Sequence, residues 1–369
     1  MLHLLEPFVG EAEARNLAAC VDGNMVASVG PFVGSLERLL GDFLDVPEVV
    51  AVASGTAALH LALRGAGVLP GDEVIVPTLT FVASANAVRY LGARPVFVDV
   101  DSRTWTMPAD CLDDAVTART RAVMPVHLFG YAADIAQVCA WGQQRGVAIV
   151  EDAAEALGTR VRGVGLGTWG TLGCLSFNGN KIITAGGGGA VLCRQAALAE
   201  QIRSLASQAR LPGYEYVHAE VGFNYRMSNL HGAVGVAQME RLPAILAHRT
   251  RIIARYRAGL AALPGIALPP QAGEVEWNGW VMSFLFPAGG DDYRDRYRQF
   301  MAARGIEVRP FFTPLHVQVT ARHERSHGGA VAVDLHRRGV NLPSSFALTD
   351  ADVDRVVEAT GSFWHQHIG

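Results

Sequence analysis

Lysine is nearly absent from this chain of 369 residues. Lys181 is the only one, and every other side chain in the Lys+Arg count of 31 is arginine. Basic excess is absent too: 35 Asp+Glu outweigh those 31, for a formal net charge of -4. Proteins that hold nucleic acid or an anionic membrane lean on a basic surface, so neither partner is expected. Long apolar runs are also missing. The most apolar stretches are broken by Gly, Pro or charge, and none approaches the roughly 20 residues of a membrane span. The opening MLHLLEPFVGEAEARN lacks a basic segment followed by an apolar core, so no signal peptide is expected. Paired cysteines are missing as well. Cys20, Cys111, Cys139, Cys174 and Cys193 are odd in number and form no CxxC. They read as reduced thiols filling the core of a cytoplasmic protein. Internal repeats are absent, and the one low-complexity stretch is Gly186–Gly189.

What is present is a large reserve of core. Hydrophobic residues are 50% of the chain and charged residues 18%, which excludes intrinsic disorder. The first half alternates strand and helix signals. Strands are predicted at Val49–Ala53, Glu73–Val76, Pro95–Val98, Arg121–Val126 and Ala148–Val150. Helices are predicted at Gly55–Arg64, Phe81–Leu91 and Ile135–Gln144. This rhythm predicts an α/β layer with a mostly parallel sheet covered on both faces. Ligands in such sheets sit beyond the carboxyl ends of the strands. After Lys181 the texture changes to long helices, Ala196–Ala209 and Leu230–Leu263, the second expected to bend at Pro243. Pro264, Pro269 and Pro270 then punctuate the chain. The remainder mixes short strands (Met282–Phe286, Glu307–Arg309) with helices (Asp292–Arg304, Asp350–Thr360) and reads as a smaller α+β domain. The expected division is a large domain over residues 1–240, with an N-terminal arm at 1–30, and a small domain over 241–369.

Three segments carry chemistry. Ser176-Phe177-Asn178-Gly179-Asn180-Lys181 puts the lone lysine between a strand end and the glycine run. There it is a Schiff-base nucleophile, a phosphate ligand or an ordinary surface cation. Val150-Glu151-Asp152-Ala153-Ala154-Glu155 sets acids at the end of an apolar strand. Such acids hold a metal, a ribose or a protonated ring nitrogen, or simply cap a helix. Ser54-Gly55-Thr56-Ala57-Ala58 opens a helix after a strand, a generic phosphate cradle or a plain N-cap. It lacks the Gly-Lys-Ser/Thr ending of a P-loop and the GxGxxG of a dinucleotide site. Taken together, the three fit one ligand. Pyridoxal 5'-phosphate needs an anion site, an acid at its pyridinium nitrogen and a lysine amine for its aldehyde. No metal is required.

These residues resemble the DegT/DnrJ/EryC1/StrS family of pyridoxal-phosphate sugar aminotransferases. The resemblance runs through nearly the whole chain: SVGPFVGSLE, ASGTAALHLAL, GDEVIVPTLTFVASANAV, GARPVFVDVD, VHLFG, EDAAEALGT, SFNGNKIITAGGGG, GFNYRMSNLHGAVGVAQME, GIEVRPFFTPLH and VNLPSS. It implies the fold type I architecture, with a seven-stranded, mostly parallel sheet in the large domain. It implies that Lys181 forms the covalent aldimine with pyridoxal phosphate and then shuttles the proton, with pyridoxamine 5'-phosphate as the intermediate. Asp152 matches the acid at the pyridinium nitrogen, and Glu155 falls near the ring hydroxyl. Phe81 matches the aromatic residue stacked on the ring. Gly55, Thr56 and Ser176 match phosphate contacts. Asn178, counted with the cofactor contacts, stands where many members have His, Tyr or Phe.

Asn224 resembles a phosphate contact given by the neighbouring subunit, which implies a homodimer with shared active sites. Arg309 and His316 are candidates for the sugar pocket, and each also fits a structural role. The same holds for His127, at a strand end, and for Arg226. Related sugar dehydrases carry histidine at the lysine position, so Lys181 favours amino transfer over deoxygenation. A cofactor-binding dimer without catalysis is the other rival. The implied reaction moves an amino group from L-glutamate to a nucleotide-linked 4-keto-6-deoxysugar. SFNGNKIITAGGGG and YEYVHAEVGFNYRM resemble enzymes acting on UDP-4-keto-6-deoxy-N-acetylhexosamines, so UDP-4-keto-6-deoxy-N-acetylglucosamine is the expected substrate. RPFFTPLH resembles the GDP-perosamine synthases instead, which keeps GDP-4-keto-6-deoxymannose as the alternative.

Overall fold

The computed structural model describes residues 1–269, 273–289 and 293–368; Pro270, Asp292 and Gly369 therefore lie outside the described residues. Short runs of Val, Ile, Ala and Phe form five buried strands in the first half. They are β1 (Glu48–Val52), β2 (Glu73–Pro77), β3 (Arg94–Val98), β4 (Thr120–Val123) and β5 (Ala148–Asp152). Strands apolar on both sides are what a sheet covered on both faces demands. Next come β6 (Leu172–Ser176), β7 (Gly189–Cys193) and the two-residue β8 (Ser326–His327). They complete one sheet in the order β1-β7-β6-β5-β4-β2-β3-β8. The seven expected strands are thus joined by a short eighth from far along the chain. β7 pairs antiparallel with both β1 and β6, and every other pairing in the sheet is parallel. One edge of the sheet therefore gathers the carboxyl ends of all the strands except β7, together with the start of β7.

Predicted boundaries shift for local reasons. The strand expected over Arg121–Val126 stops at Val123, and Val126 keeps only a single bridge to Asp152. Pro125 has no N–H for a ladder, which ends the pairing. The helix expected from Phe81 starts at Ala83 and runs to Tyr90, leaving Phe81 on the loop at the sheet edge. The helix expected to reach Ala209 spans Ala196–Ala206, because Gln208 and Ala209 take positive φ of 65° and 50°. The downstream strands are shorter than expected, Ser283–Leu285 and Arg309–Pro310, and the last helix is longer, Asp350–His367.

Residues 1–30 contain the helix Glu11–Asp22, and a second helix, Pro31–Leu44, follows. Both lie on the long helix Asn229–Leu260. Small residues let them approach: a Cβ at Gly235 would stand 2.9 Å from Leu36 Cδ2. Buried Glu13 accepts hydrogen bonds from Gln238 Nε2 (2.7 Å) and Arg241 (3.2 Å) of the long helix. That helix continues through Pro243, so residue 240, the expected division, falls inside it. Its later turns join Asp350–His367 and Tyr293–Ala302 over a three-stranded sheet of Ser283–Leu285, Gly339–Asn341 and Arg309–Pro310. Phe284, Phe286, Tyr297, Phe363 and Trp364 fill the space between them. The Phe286 and Trp364 rings stack at 5.2 Å.

Candidate active site

The three chemistry-bearing segments meet at the sheet edge where the strand ends gather. They line a cavity of about 460 Å³ that takes in Ser54, Gly55 and Thr56 after β1, Asp152 and Glu155 after β5, and Ser176, Asn178 and Lys181 after β6. Phe81, Arg309 and Phe312 lie on its outer wall. The sequence spacing between these segments is long, and it is the parallel order of β1, β6 and β5 that brings them together.

The anion cradle is built at the start of the helix Gly55–Gly65. Ser54 Oγ accepts from the Ala57 N–H (3.0 Å), and the Ser54 carbonyl accepts from Ala58 (3.0 Å). The N–H groups of Gly55 and Thr56 precede these bonds, and both residues face the cavity. Donors left free in a first turn, with the helix dipole behind them, favour a bound anion. The cradle is tight: a Cβ on Gly55 would stand 2.7 Å from Ser176 Cβ. Gly188, at φ +108°, brings the chain back beside Ser54 through a backbone bridge.

Lys181 is held by the buried Ile182 and Ile183 that follow it. Its Nζ is 3.2 Å from Glu155 Oε1 and 4.6 Å from the centre of the Trp280 ring. Its side chain is 13% exposed, enough to meet a ligand in the cavity but not to leave it. Glu155 also accepts the Phe129 N–H at Oε2 (2.8 Å). Burial raises the Glu155 carboxyl above its ordinary range, although Lys181 and the Phe129 N–H pull it the other way.

Asp152 ends β5 and is buried. Its Oδ2 accepts from Ser84 Oγ (2.7 Å) and its Oδ1 from the Ala154 N–H (3.2 Å). Thr80 Oγ1 lies 3.0 Å from Ser84 Oγ, so two buried hydroxyls back the carboxylate. Neighbouring Glu151 points to the other side of the strand, as alternation requires. Its two oxygens accept N–H groups from Gly167 (2.8 Å), Trp169 (2.8 Å) and Gly170 (2.7 Å). His127 Nε2 lies 3.0 Å from Glu151 Oε2, and the Ala133 N–H donates to His127 Nδ1 (3.2 Å). Both ring nitrogens are engaged within the fold, which gives His127 a structural place although it touches the cavity wall.

The remaining candidates separate. Phe81 stands at the cavity mouth, 55% exposed, with its ring 5.7 Å from that of Phe312. Arg309 is on the wall and is held by Glu307 Oε1 through Nε (2.8 Å) and Nη2 (2.7 Å). His316 is off the wall. Its Nδ1 bonds to Thr78 Oγ1 (2.6 Å) just past β2, and burial lowers its pKa. Asn224 is exposed and outside this cavity, and Arg226 donates to the Ser28 carbonyl (2.7 Å). Sequence reasoning misses four contributors: Ser84, Thr80, Trp280 and Phe312. Ser84 and Thr80 stand four residues apart in an ordinary loop-to-helix segment. Trp280 arrives from about a hundred residues after Lys181, held by Nε1–H to the Asn180 carbonyl (2.8 Å). No local signal marks either.

The set fits pyridoxal phosphate. The helix start at Gly55–Thr56 and Ser176 suit a phosphate, a hydroxyl-backed carboxylate suits a ring N–H, and a shielded amine suits an aldehyde. Among the described residues no cluster of three or more His, Cys, Asp or Glu is placed to hold a metal ion.

Comparison with known proteins bears on this geometry. The sequence model of the DegT/DnrJ/EryC1/StrS aminotransferase family matches residues 7–360. The GDP-perosamine synthase of Caulobacter vibrioides is 40% identical over 344 residues, covering 92% of each chain. Among solved structures, the aminotransferase TlmJ from Streptoalloteichus hindustanus superposes with a TM-score of 0.95 at 30% identity, over 100% of both chains. Spr1654 from Streptococcus pneumoniae, in its PLP form, gives 0.92 at 25% identity, over 100% of this chain and 99% of that one.

Proposed function

The chain belongs to the DegT/DnrJ/EryC1/StrS aminotransferase family, pyridoxal-phosphate-dependent enzymes of nucleotide sugars, and we propose that it aminates C4 of a nucleotide-linked 4-keto-6-deoxysugar. The observation that carries this reading is the lone lysine, shielded in the cavity 3.2 Å from Glu155 and sharing that cavity with Asp152 and the Gly55–Thr56 cradle. Pyridoxal phosphate, when bound, supplies an aldehyde that accepts an amino group and a ring that accepts electrons. Gly55, Thr56 and Ser176 bind its phosphate. Asp152 keeps a proton at the ring nitrogen, and its own charge is held in place by Ser84. Phe81 covers the ring, while Asn178 and Glu155 orient its edge.

Lys181 would hold the cofactor through its Nζ, and the same amine, shielded in the cavity, would take up and return the proton that amino transfer requires. One positioned amine performs both steps, which is efficient general acid–base catalysis. When its proton is not in transit, Glu155 and the Trp280 face hold the ammonium. L-Glutamate is the donor in this reading. Arg309 faces the sugar, and its pairing with Glu307 fixes the guanidinium at the mouth. We place Asn224 in the active site of a second copy, making the enzyme a homodimer. The exposed apolar residues that precede it, Tyr214, Tyr216 and Val221, support a covered surface there. All five thiols are free, which supports a cytoplasmic setting. No described helix is long and apolar enough to cross a membrane.

Two nucleotides compete. The segments around Asn178 and Asn224 resemble the UDP-linked enzymes. RPFFTPLH and the 40% identity to a GDP-perosamine synthase support GDP-4-keto-6-deoxymannose, and Arg309 and Phe312 of that segment are on the cavity wall. Absorbance of the loaded protein tests both. L-Glutamate is expected to bleach the cofactor band, and one keto sugar of a UDP and GDP panel to restore it. A band that no amino donor changes moves the reading to a dehydrase or a silent binder. A band that glutamate bleaches and no 4-keto sugar restores removes the substrate class alone.

A further inference from the structure

A second cavity, of about 450 Å³, shares a wall with the first. The segment Trp277–Trp280 divides them: Trp280 lines the catalytic cavity, and Trp277 lines the other. The second is enclosed further by Tyr131 and by Thr250, Ile253 and Arg257 of the long helix. The Tyr131 and Trp277 rings stack, with centres 4.6 Å apart and planes at 26°.

One cation in this lining has no charged partner among the described residues. The Tyr131 hydroxyl is buried beside Ser283, which donates its own hydroxyl to Asn341 Oδ1 (2.7 Å), and the Tyr131 ring is what faces the cavity. Arg257 donates through Nη2 to the Pro269 carbonyl (2.8 Å) and pairs with no carboxylate among the described residues. Buried polar groups are almost always satisfied, and a half-buried guanidinium is matched best by a carboxylate, sulfonate or phosphate. Apolar walls with a few convergent donors are how small-molecule sites are built.

We propose that this cavity is a second ligand site for a small anion with an aromatic or apolar body. The acid group meets Arg257, and the body lies against Trp277, Tyr131 and Ile253. The wall gives such a ligand a route to the chemistry. Trp277 Nε1–H donates to the Phe129 carbonyl (3.1 Å), and the Phe129 N–H donates to Glu155 (2.8 Å). Asn278 Nδ2 donates to the Glu155 carbonyl (2.9 Å). Phe129 itself is fixed at φ +55°, so the junction has little freedom to absorb a shift. An occupant therefore sits against the segment that anchors Glu155 without entering the catalytic cavity.

Anilinonaphthalene sulfonate carries both parts of this chemistry and reports binding by its fluorescence. On cofactor-loaded protein, one site per chain is expected. Arg257→Gln should bind it about tenfold more weakly, the scale of a lost charge-assisted hydrogen bond. Arg257→Lys, which keeps the charge but not the planar fork, should weaken it by a smaller factor and serves where Arg257→Gln fails to fold. Lys181→Ala should leave probe affinity as in the parent. No binding to the parent chain overturns the proposal, as does unchanged affinity in the folded Arg257→Gln variant or, where that fails to fold, in Arg257→Lys. Binding that disappears in Lys181→Ala places the probe in the catalytic cavity and overturns it too. None of these readings depends on which sugar the enzyme uses.

Discussion

Glu151 and Asp152 are adjacent acids at the end of one strand, and the two sides of β5 use them oppositely. On one side Glu151 is fully buried and receives three backbone N–H groups and His127. The fold answers all of its acceptor capacity, so nothing is left for a ligand. On the other side Asp152 receives one hydroxyl and one N–H and opens on the cavity. The difference separates a charge that holds the loop Gly167–Gly170 from a charge kept available for a bound cation. Burial alone does not distinguish them; the count of donors does.

The largest expected effect lies on the open side. Lys181→Ala should lower turnover by about 10³-fold or more, within the range for loss of a positioned acid–base group. Its thermal transition should stay near that of the parent, because the buried Ile182 and Ile183 beside it are left in place. Next is the contrast within the acid pair. Asp152→Asn should fold normally and lose about 10²-fold in turnover, as for loss of one preorganised charge in a site. Glu151→Gln should do the reverse. An amide nitrogen set against backbone N–H groups leaves donors facing donors, at a cost of about 2–3 kcal/mol in unfolding free energy. Its folded fraction should turn over near the parent rate. Denaturant melts and kinetics corrected for folded protein read both. If Asp152→Asn were the destabilised variant and Glu151→Gln the slow one, the division of labour across β5 would be wrong.

Much of this arrangement is legible in the amino-acid sequence. Periodicity places the strands of the parallel sheet and most of the helices, because each is a short apolar run or a stretch of helical spacing closed by Gly, Pro or Asp. Lys181 stands out by rarity, and Asp152, Glu155 and Gly55 by sitting at strand ends. Two kinds of contributor do not show. Ser84 and Thr80 matter through a hydroxyl chain that only the packing of their loop against β5 creates. Trp280 and Phe312 enter from the C-terminal unit, and no local pattern encodes which residue of a distant segment closes a cavity. Asp152 and Glu151 are equally plausible in sequence; alternation tells that they face apart, but not which side holds the cavity.

The smallest expected effect extends the contrast to pH, at a third buried carboxylate far from the chemistry. Glu73 begins β2 at the end opposite the cavity. Burial alone would raise its pKa, but the Thr117 hydroxyl (2.7 Å), Arg119 (2.7 Å) and Arg325 (3.0 Å) prevail and hold it below the usual carboxylate value. A carboxyl with a lowered pKa in the folded state stabilises above its unfolded value, and loses that contribution as pH falls through the folded one. Glu73 therefore steepens the loss of stability on the acid side, from about pH 4.5 downward. Glu73→Gln should lower the melting temperature at neutral pH and leave a flatter decline below that point, with the two curves converging in acid. The effect should be modest, since both arginines are partly in solvent, where screening weakens ion pairs. Because the site lies at the other end of the sheet, turnover of the folded variant should match the parent across the same range. Parallel acid limbs for the two proteins would mean that Glu73 is held by packing rather than charge, and would leave Glu151 as the sheet's one carboxylate whose donors set stability.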